Sequence, residues 1–247
     1  MPELPEVETV RKGLNNLASG FHISKLEVIK ERSIASNGGS EMFISKMKGK
    51  RVISWARRGK YLIASLEKDV LNEKELCSNK SIHFGWWGVH LRMTGQFQWH
   101  EKEKAPCAHT RVRFWNKQGH ELRFVDTRNF GQMWWVPADK SPNEIISGLT
   151  KLGPEPFSKS FTTRYLMKKL QGKKSSIKSA LLDQSICAGT GNIYADESLF
   201  AAGIIPTKES CKLKESQINN LRESLIHILK ISIGKGGTSF KDFRDIE

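Results

Sequence analysis

Cysteine is scarce in this chain. Its 247 residues hold four, Cys77, Cys107, Cys187 and Cys211, and no two form a C-x-x-C pair. Paired-thiol zinc fingers and thioredoxin-like motifs are thereby excluded, and the wide spacing gives no disulfide framework. Long apolar runs are missing too; none approaches the roughly 20 residues of a membrane-spanning helix. A secretory leader has a basic and then an apolar stretch, whereas Glu3, Glu6 and Glu8 stand here. The expectation is a soluble intracellular monomer, cytoplasmic or nucleoid-associated, with no membrane partner.

Acidic residues are also in deficit. Against 40 Lys and Arg stand 26 Asp and Glu, giving a net charge of +14 and a pI near 9.7. The excess is shared: +8 over residues 1–150 and +6 over residues 151–247. A basic tail would concentrate it. Two basic bodies can instead face one polyanion between them, which makes nucleic acid the leading partner. Hydrophobic residues make up 38%, enough for a packed core and too many for global disorder.

Periodicity divides the chain. Val7, Val10, Leu14 and Leu17 recur at helical spacing. Short strand-like runs follow at Ser24–Ile29, Gly49–Trp55, Tyr61–Leu66, Gly88–Met93, Thr110–Trp115 and Glu121–Val125, with a polar excursion over Glu67–Ser81. After Trp135 the punctuation changes to Pro137, Pro142, Gly153, Pro154 and Pro156. Helical periods then cover Phe161–Leu170, Ser175–Leu182, Ile193–Ala202 and Lys214–Ile233, the last with Ile218, Leu221, Leu225 and Ile228 in register. The pattern predicts an α+β protein: an N-terminal helix plus β-sandwich over 1–140, then a helical domain over 150–247.

The N-terminus reads Pro2-Glu3-Leu4-Pro5-Glu6-Val7-Glu8. Pro5, Glu6 and Glu8 suit a helix start, where proline and acids are favoured. Pro2-Glu3 is left unexplained by that. Removing Met1 would expose a secondary amine at Pro2, free to a useful extent near neutral pH because α-amino groups titrate at about 7.7–8.0. Such an amine can attack an aldehydic sugar carbon and form a Schiff base, with Glu3 beside it to move protons.

The opening P-E-L-P-E-V-E resembles that of the bacterial formamidopyrimidine-DNA glycosylases. Further segments are similar to the family's, in its order: Arg57-Arg58-Gly59-Lys60-Tyr61-Leu62, His90-Leu91-Arg92-Met93-Thr94-Gly95, Asp126-Thr127-Arg128-Asn129-Phe130-Gly131, Leu152-Gly153-Pro154-Glu155-Pro156 and Gly189-Thr190-Gly191-Asn192-Ile193-Tyr194-Ala195-Asp196-Glu197. The resemblance runs along nearly the whole chain. It implies a base-excision-repair glycosylase and AP lyase acting on oxidised purines in damaged double-stranded DNA, with a helix-two-turn-helix domain.

The resemblance also implies roles. Pro2, Glu3 and Lys60 become catalytic, Lys60 also binding phosphate; taken alone, Arg57, Arg58 and Lys60 form a cationic turn. Met93, Arg128 and Phe130 fill the hole left by an extruded base. Apolar side chains prop the unstacked step and a guanidinium bonds the orphaned base, although Met93 taken alone suits a core position. His109, Lys173 and Asn192 join Arg128 in DNA contact, the glycine-rich turn at 189–192 offering its amides to phosphate and Asn192 a donor or a helix cap. Gly237 and Thr238 belong to a loop that closes over the extruded base. Asn129 stands where the family usually has a cation, which weakens one expected phosphate contact.

Family members normally continue through a four-cysteine β-hairpin finger that holds a structural zinc. The sequence reaches Glu247 without one, so no metal ligands and no cofactor are assigned to these residues. Two rivals stay open: a related glycosylase for oxidised pyrimidines, and a protein that binds lesions without cutting.

Overall fold

A computed structural model of the chain describes residues 1–68 and 83–237. Most of the polar excursion expected at 67–81, and Thr238 of the capping loop, lie outside the described residues. Helix α1 (Leu4–Ala18) begins with Pro5 in its first turn, where the missing N–H costs no hydrogen bond. Its Val7, Leu14 and Ala18 point into the first core.

Two four-stranded antiparallel sheets form the sandwich. One has strand order β1 (Lys25–Val28), β6 (Thr110–Trp115), β7 (Glu121–Asp126), β5 (Gly95–His100). The other runs β2 (Lys50–Arg58), β3 (Tyr61–Lys68), β4 (His83–His90), β8 (Gln132–Pro137). Aromatic rings fill the space between them: Trp87 lies 4.9 Å from Trp55 and 4.5 Å from Phe114, centroid to centroid. Each such ring buries a large apolar area, and the tilted contacts add about 0.5–1.5 kcal/mol apiece.

Several elements were not anticipated, the short helices between the two regions among them. Helix α2 (Gly39–Met47) starts at two positive-φ glycines, its cap Gly38 and its first residue Gly39, and buries only Phe43 and Met47. Strands β5 and β8 sit at sheet edges, where β8 tolerates Pro137. The run expected to be a strand through Met93 ends at His90; residues 92–94 form a turn, with Arg92 at a positive φ of 56°.

The outer face of the second sheet is covered by two short helices, α3 (Pro142–Ile145) and α4 (Ser147–Thr150). Ile146 and Leu149 pack there on Tyr61, Trp134 and Val136. Beyond them α5 (Thr163–Leu170), α6 (Ile177–Leu182), α7 (Asn192–Ala201) and α8 (Glu215–Gly234) surround a second core. In α8 the fully buried stripe is Ile218, Leu221, Leu225 and Leu229; Ile228 is only partly buried. Leu4, from the first turn of α1, belongs to this helical core. Burying one leucine contributes about 1.5–3 kcal/mol, so α1 fastens the two regions together. No described helix is long and apolar enough to cross a membrane.

Candidate active site at the interdomain cleft

A cleft of about 740 Å³ separates the sandwich from the helices. Met1, Lys60, His90, Arg92, Gln184 and Asn192 are among the residues lining it. Pro2 and Glu3, which follow the exposed Met1 that lines the cleft, are themselves buried. Glu3 is the N-cap residue of α1. Its carboxylate reaches across to α7, accepting from Ile193 N–H at 3.0 Å and Tyr194 N–H at 3.4 Å. Glu3 therefore occupies the positive end of α7. Gly191 is required beside it, since a Cβ there would overlap the Glu3 carboxyl group.

The Ile193 and Tyr194 amides that open α7 thus bind the protein's own carboxylate, and within the glycine-rich turn Gly189 N–H donates to the Gln184 side chain at 2.9 Å. The cap residue is Gly191, not Asn192. Asn192 is exposed on the cleft wall.

Lys60 is 7% exposed. It sits with Gly59 in the two-residue turn joining β2 to β3, where Arg58 pairs with Tyr61. Gly59 has a φ of +56°, which a glycine supplies without steric cost. Burial lowers the Lys60 pKa, while Glu3, Glu6 and the Cys187 thiol oppose that shift. Burial raises the Glu3 pKa, opposed by the Ile193 amide, Lys60 and the Tyr194 amide; Glu6 adds to the rise. An acid moved up and an amine moved down exchange protons more readily at neutral pH than either would in water.

The neighbouring arginines behave differently from expectation. Arg57 donates to Glu8 at 2.9 Å and to Glu155 at 2.8 Å. Arg58 donates to Glu155 at 3.2 Å and to the Gly153 carbonyl at 2.6 Å. Glu155 also accepts Gly59 N–H at 2.6 Å. The arginines of the basic turn are thus paired within the protein, and Arg57 also donates to the Gly59 carbonyl at 3.0 Å, next to Lys60. Sequence reasoning missed Glu155 and also Glu6. The latter accepts Glu3 N–H at 2.9 Å and Tyr194 O–H at 2.6 Å; the signal was its i+3 spacing from an N-cap.

His90 also faces the cleft. Burial and the nearby Arg92 and Lys60 hold its pKa down at about 3. It stays neutral, accepting Arg92 N–H at Nδ1 and meeting the Tyr61 ring edge-on at 4.5 Å.

A second constellation lies on the loops at the ends of the strands. Met93, Arg128 and Phe130 are all exposed. Buried Asp126 unites their two turns. Its carboxylate accepts the Thr94 hydroxyl, Arg128 N–H at 3.2 Å and Gly131 N–H at 2.7 Å. The Arg128 guanidinium lies 5.3 Å from the Phe130 ring centroid. Asn129 has a φ of +56°, which asparagine tolerates better than a long cation would. The structure brings these three residues together at the surface, so Met93 is not a core residue.

The other candidates do not line the cleft. His109 is exposed, and its carbonyl accepts Asp126 N–H. Lys173 is half-exposed and lies 3.5 Å from Asp183. Gly237, at a φ of +101°, leaves no room for a Cβ beside the Glu6 carboxylate. Among the described residues no three His, Cys, Asp or Glu side chains gather as metal ligands.

Solved structures place this geometry in a class of damage-binding glycosylases. A Lactococcus lactis protein crystallised with Fapy-dG-containing DNA matches with TM-score 0.84 at 33% identity, over 97% of this chain and 81% of that one. The same species' enzyme with oxidised-pyrimidine DNA matches at 0.84 and 33%, over 96% and 82%. Family models for the formamidopyrimidine-DNA glycosylase N-terminal domain and H2TH domain match residues 1–133 and 152–244. A formamidopyrimidine-DNA glycosylase of Prochlorococcus marinus is 61% identical over all of this chain and 84% of its own length. One of Parasynechococcus marenigrum is 56% identical over the same shares. The chain belongs to the formamidopyrimidine-DNA glycosylase family of base-excision-repair glycosylases and AP lyases.

Proposed function

We propose that this enzyme excises oxidised purines, 8-oxoguanine and formamidopyrimidines, from duplex DNA through covalent catalysis by Pro2. Loss of Met1, which lines the cleft, turns the Pro2 nitrogen from a tertiary amide into a secondary amine. That nitrogen attacks C1′ of the extruded nucleotide, and the base leaves with the glycosidic electron pair. Glu3 supplies the proton that opens the sugar, giving an iminium between Pro2 and C1′. The iminium is an electron sink, so the C2′ proton becomes acidic and the 3′ phosphate leaves by β-elimination. The 5′ phosphate follows by δ-elimination. Lys60 stabilises phosphate oxygens and assists both departures. No redox cofactor is called for.

The observation that carries this reading is that Glu3, next to buried Pro2, lies close enough to buried Lys60 for their charges to interact, with the two proton affinities shifted toward each other. Met93, Arg128 and Phe130 fill the vacated stack, and His109, Lys173 and Asn192 hold the backbone. Gly237 and Thr238 lead the loop that closes over the base. The enzyme works as a monomer on damaged DNA within the cytoplasm, at the nucleoid. Since a relative was crystallised with oxidised-pyrimidine DNA, lesion preference is measured by competition between both classes in one tube.

Borohydride trapping tests the chemistry. Protein shown by intact mass to lack Met1 is expected to form a covalent adduct with lesion-bearing duplex, and Met1-retaining protein none. Undiminished trapping with Met1 attached would remove Pro2 as the nucleophile.

A further inference from the structure

Most arginines described on the sandwich are tied to oxygen acceptors. Arg11, Arg57, Arg58, Arg92, Arg111, Arg113 and Arg123 all donate to carboxylates, carbonyls or an amide oxygen. Arg32 is different. It is exposed on a 3-10 turn at Glu31–Ser33, and its guanidinium lies 5.3 Å from the centroid of the Phe130 ring. Arg128 stands at the same distance from the same ring.

The turn is firmly placed. Ile34 bridges Met133, Ala35 N–H donates to the Met133 carbonyl at 2.8 Å, and Ser36 Oγ accepts Trp135 N–H at 2.7 Å. Residues 33–36 are thus fastened to β8, the strand that leaves the 127–131 loop. An exposed phenylalanine next to two cations is an uncommon use of surface. Water would otherwise favour burying the ring, whereas a guanidinium over the π-face holds it out at modest cost.

We propose that Arg32 is a positioning residue for Phe130. It holds the ring erect, together with Arg128, so that the ring enters the duplex without first being ordered. This rests on the reading of Phe130 as the wedge. In that arrangement Arg32 acts through the ring, whereas Arg128 is free to turn toward the orphaned base. Before insertion the two cations stand 5.3 Å from the centroid of the same ring. On insertion Arg32 remains on its anchored turn and Arg128, on the loop itself, moves with the DNA.

The test is a double-mutant cycle on the full protein with lesion-bearing and intact duplex of the same sequence. Arg32→Ala is expected to lower the damaged-to-intact binding ratio about two- to fivefold, the scale of one exposed cation–π contact. In a Phe130→Ala background it is expected to do nothing further. The salt slope is expected to hold, because a lost phosphate contact would lower it by about one unit. Additive losses, or a lowered slope, would make Arg32 an independent phosphate ligand and overturn the proposal. Loss with Phe130→Ala but not with Arg32→Ala would overturn it and leave the wedge standing. Loss with Arg32→Ala alone, or with neither, would overturn both.

Discussion

Two basic loops in this molecule use their charge in opposite ways. The β2–β3 turn reads Arg57-Arg58-Gly59-Lys60, and the loop after β7 reads Arg128-Asn129-Phe130. By sequence the first is the more obvious polyanion site. In the structure Glu8 and Glu155 pair with both of its arginines, and Lys60 alone of the three lines the cleft. The second loop keeps Arg128 and Phe130 exposed while its backbone is fixed from below by Asp126. Charge density in a sequence therefore marks neither loop's role. What decides is whether a carboxylate from elsewhere in the fold reaches the cation first.

The strongest internally satisfied cations give the largest expected effect. Glu121 is 1% exposed between Arg113 and Arg123, at 2.8 and 2.7 Å. Burial alone would raise its pKa, but its hydrogen bonds and the charge of both guanidiniums outweigh that and bring it down to about 2. A carboxylate with a depressed folded pKa contributes stability above its unfolded value, near 4.5, and loses it as pH falls toward 2. Glu121→Gln is expected to cost about 3 kcal/mol at pH 7. It should also flatten the fall of stability between pH 4.5 and 2. Chemical denaturation across that range checks both. An unchanged acid slope would mean the pair is not the source.

Next in size is Glu155→Gln, which breaks the bonds holding the Lys60 turn. Stability is expected to fall by about 1–3 kcal/mol. Single-turnover cleavage at saturating protein is expected to fall by about 10- to 100-fold, since a shift on the order of 1 Å at a reacting group costs that much. A rate loss no larger than that of Glu41→Gln, on the exposed face of α2, would show that Lys60 holds its place without Glu155.

These two cases show where the sequence was legible. The first helix, the sandwich and the later helices all follow from spacing, because core positions recur along one chain segment: Leu14 and Val7 in α1, Leu221 and Leu225 in α8. The Pro2-Glu3 pair stood out because a helix start alone did not account for it; that Glu3 is the N-cap of α1 did not show in the sequence. Glu155 and Asp126 were not legible, because each acts on backbone or side chains from other elements. Glu155 serves a turn nearly 100 residues away, with |i−j| of 96 to Gly59. Nor was the occupation of the α7 amides by Glu3, at |i−j| of 190. The edge strands β5 and β8 escaped notice because edges carry weaker alternation and admit proline.

On the open loop the expected effects are smaller and selective. Phe130→Ala and Arg128→Ala should each weaken binding to lesion-bearing duplex by roughly 1–2 kcal/mol, since both act mainly on an extruded base whose unstacking costs a few kcal/mol. Binding to intact duplex should change little. Parallel titrations at fixed salt separate the outcomes, and equal losses on both duplexes would contradict the wedge assignment.

The smallest effect is expected at Lys173, which lies between the two extremes. Its ammonium is 3.5 Å from Asp183 and about a third exposed, so the pair is wet and weakly held. Such a pair contributes about 0–1 kcal/mol to the free protein. A DNA phosphate could then displace Asp183 with little loss. Lys173→Ala should weaken binding to damaged and intact duplex alike and reduce the salt slope by about one unit. Asp183→Asn should do the reverse in sign, raising affinity modestly by releasing the lysine in advance. Lys178, 2.8 Å from Asp196 on the same domain, provides the contrast of a tighter pair. If Lys173→Ala leaves the slope unchanged while Lys178→Ala lowers it, the phosphate contact belongs to Lys178, and proximity to a carboxylate is no guide to which lysine DNA recruits.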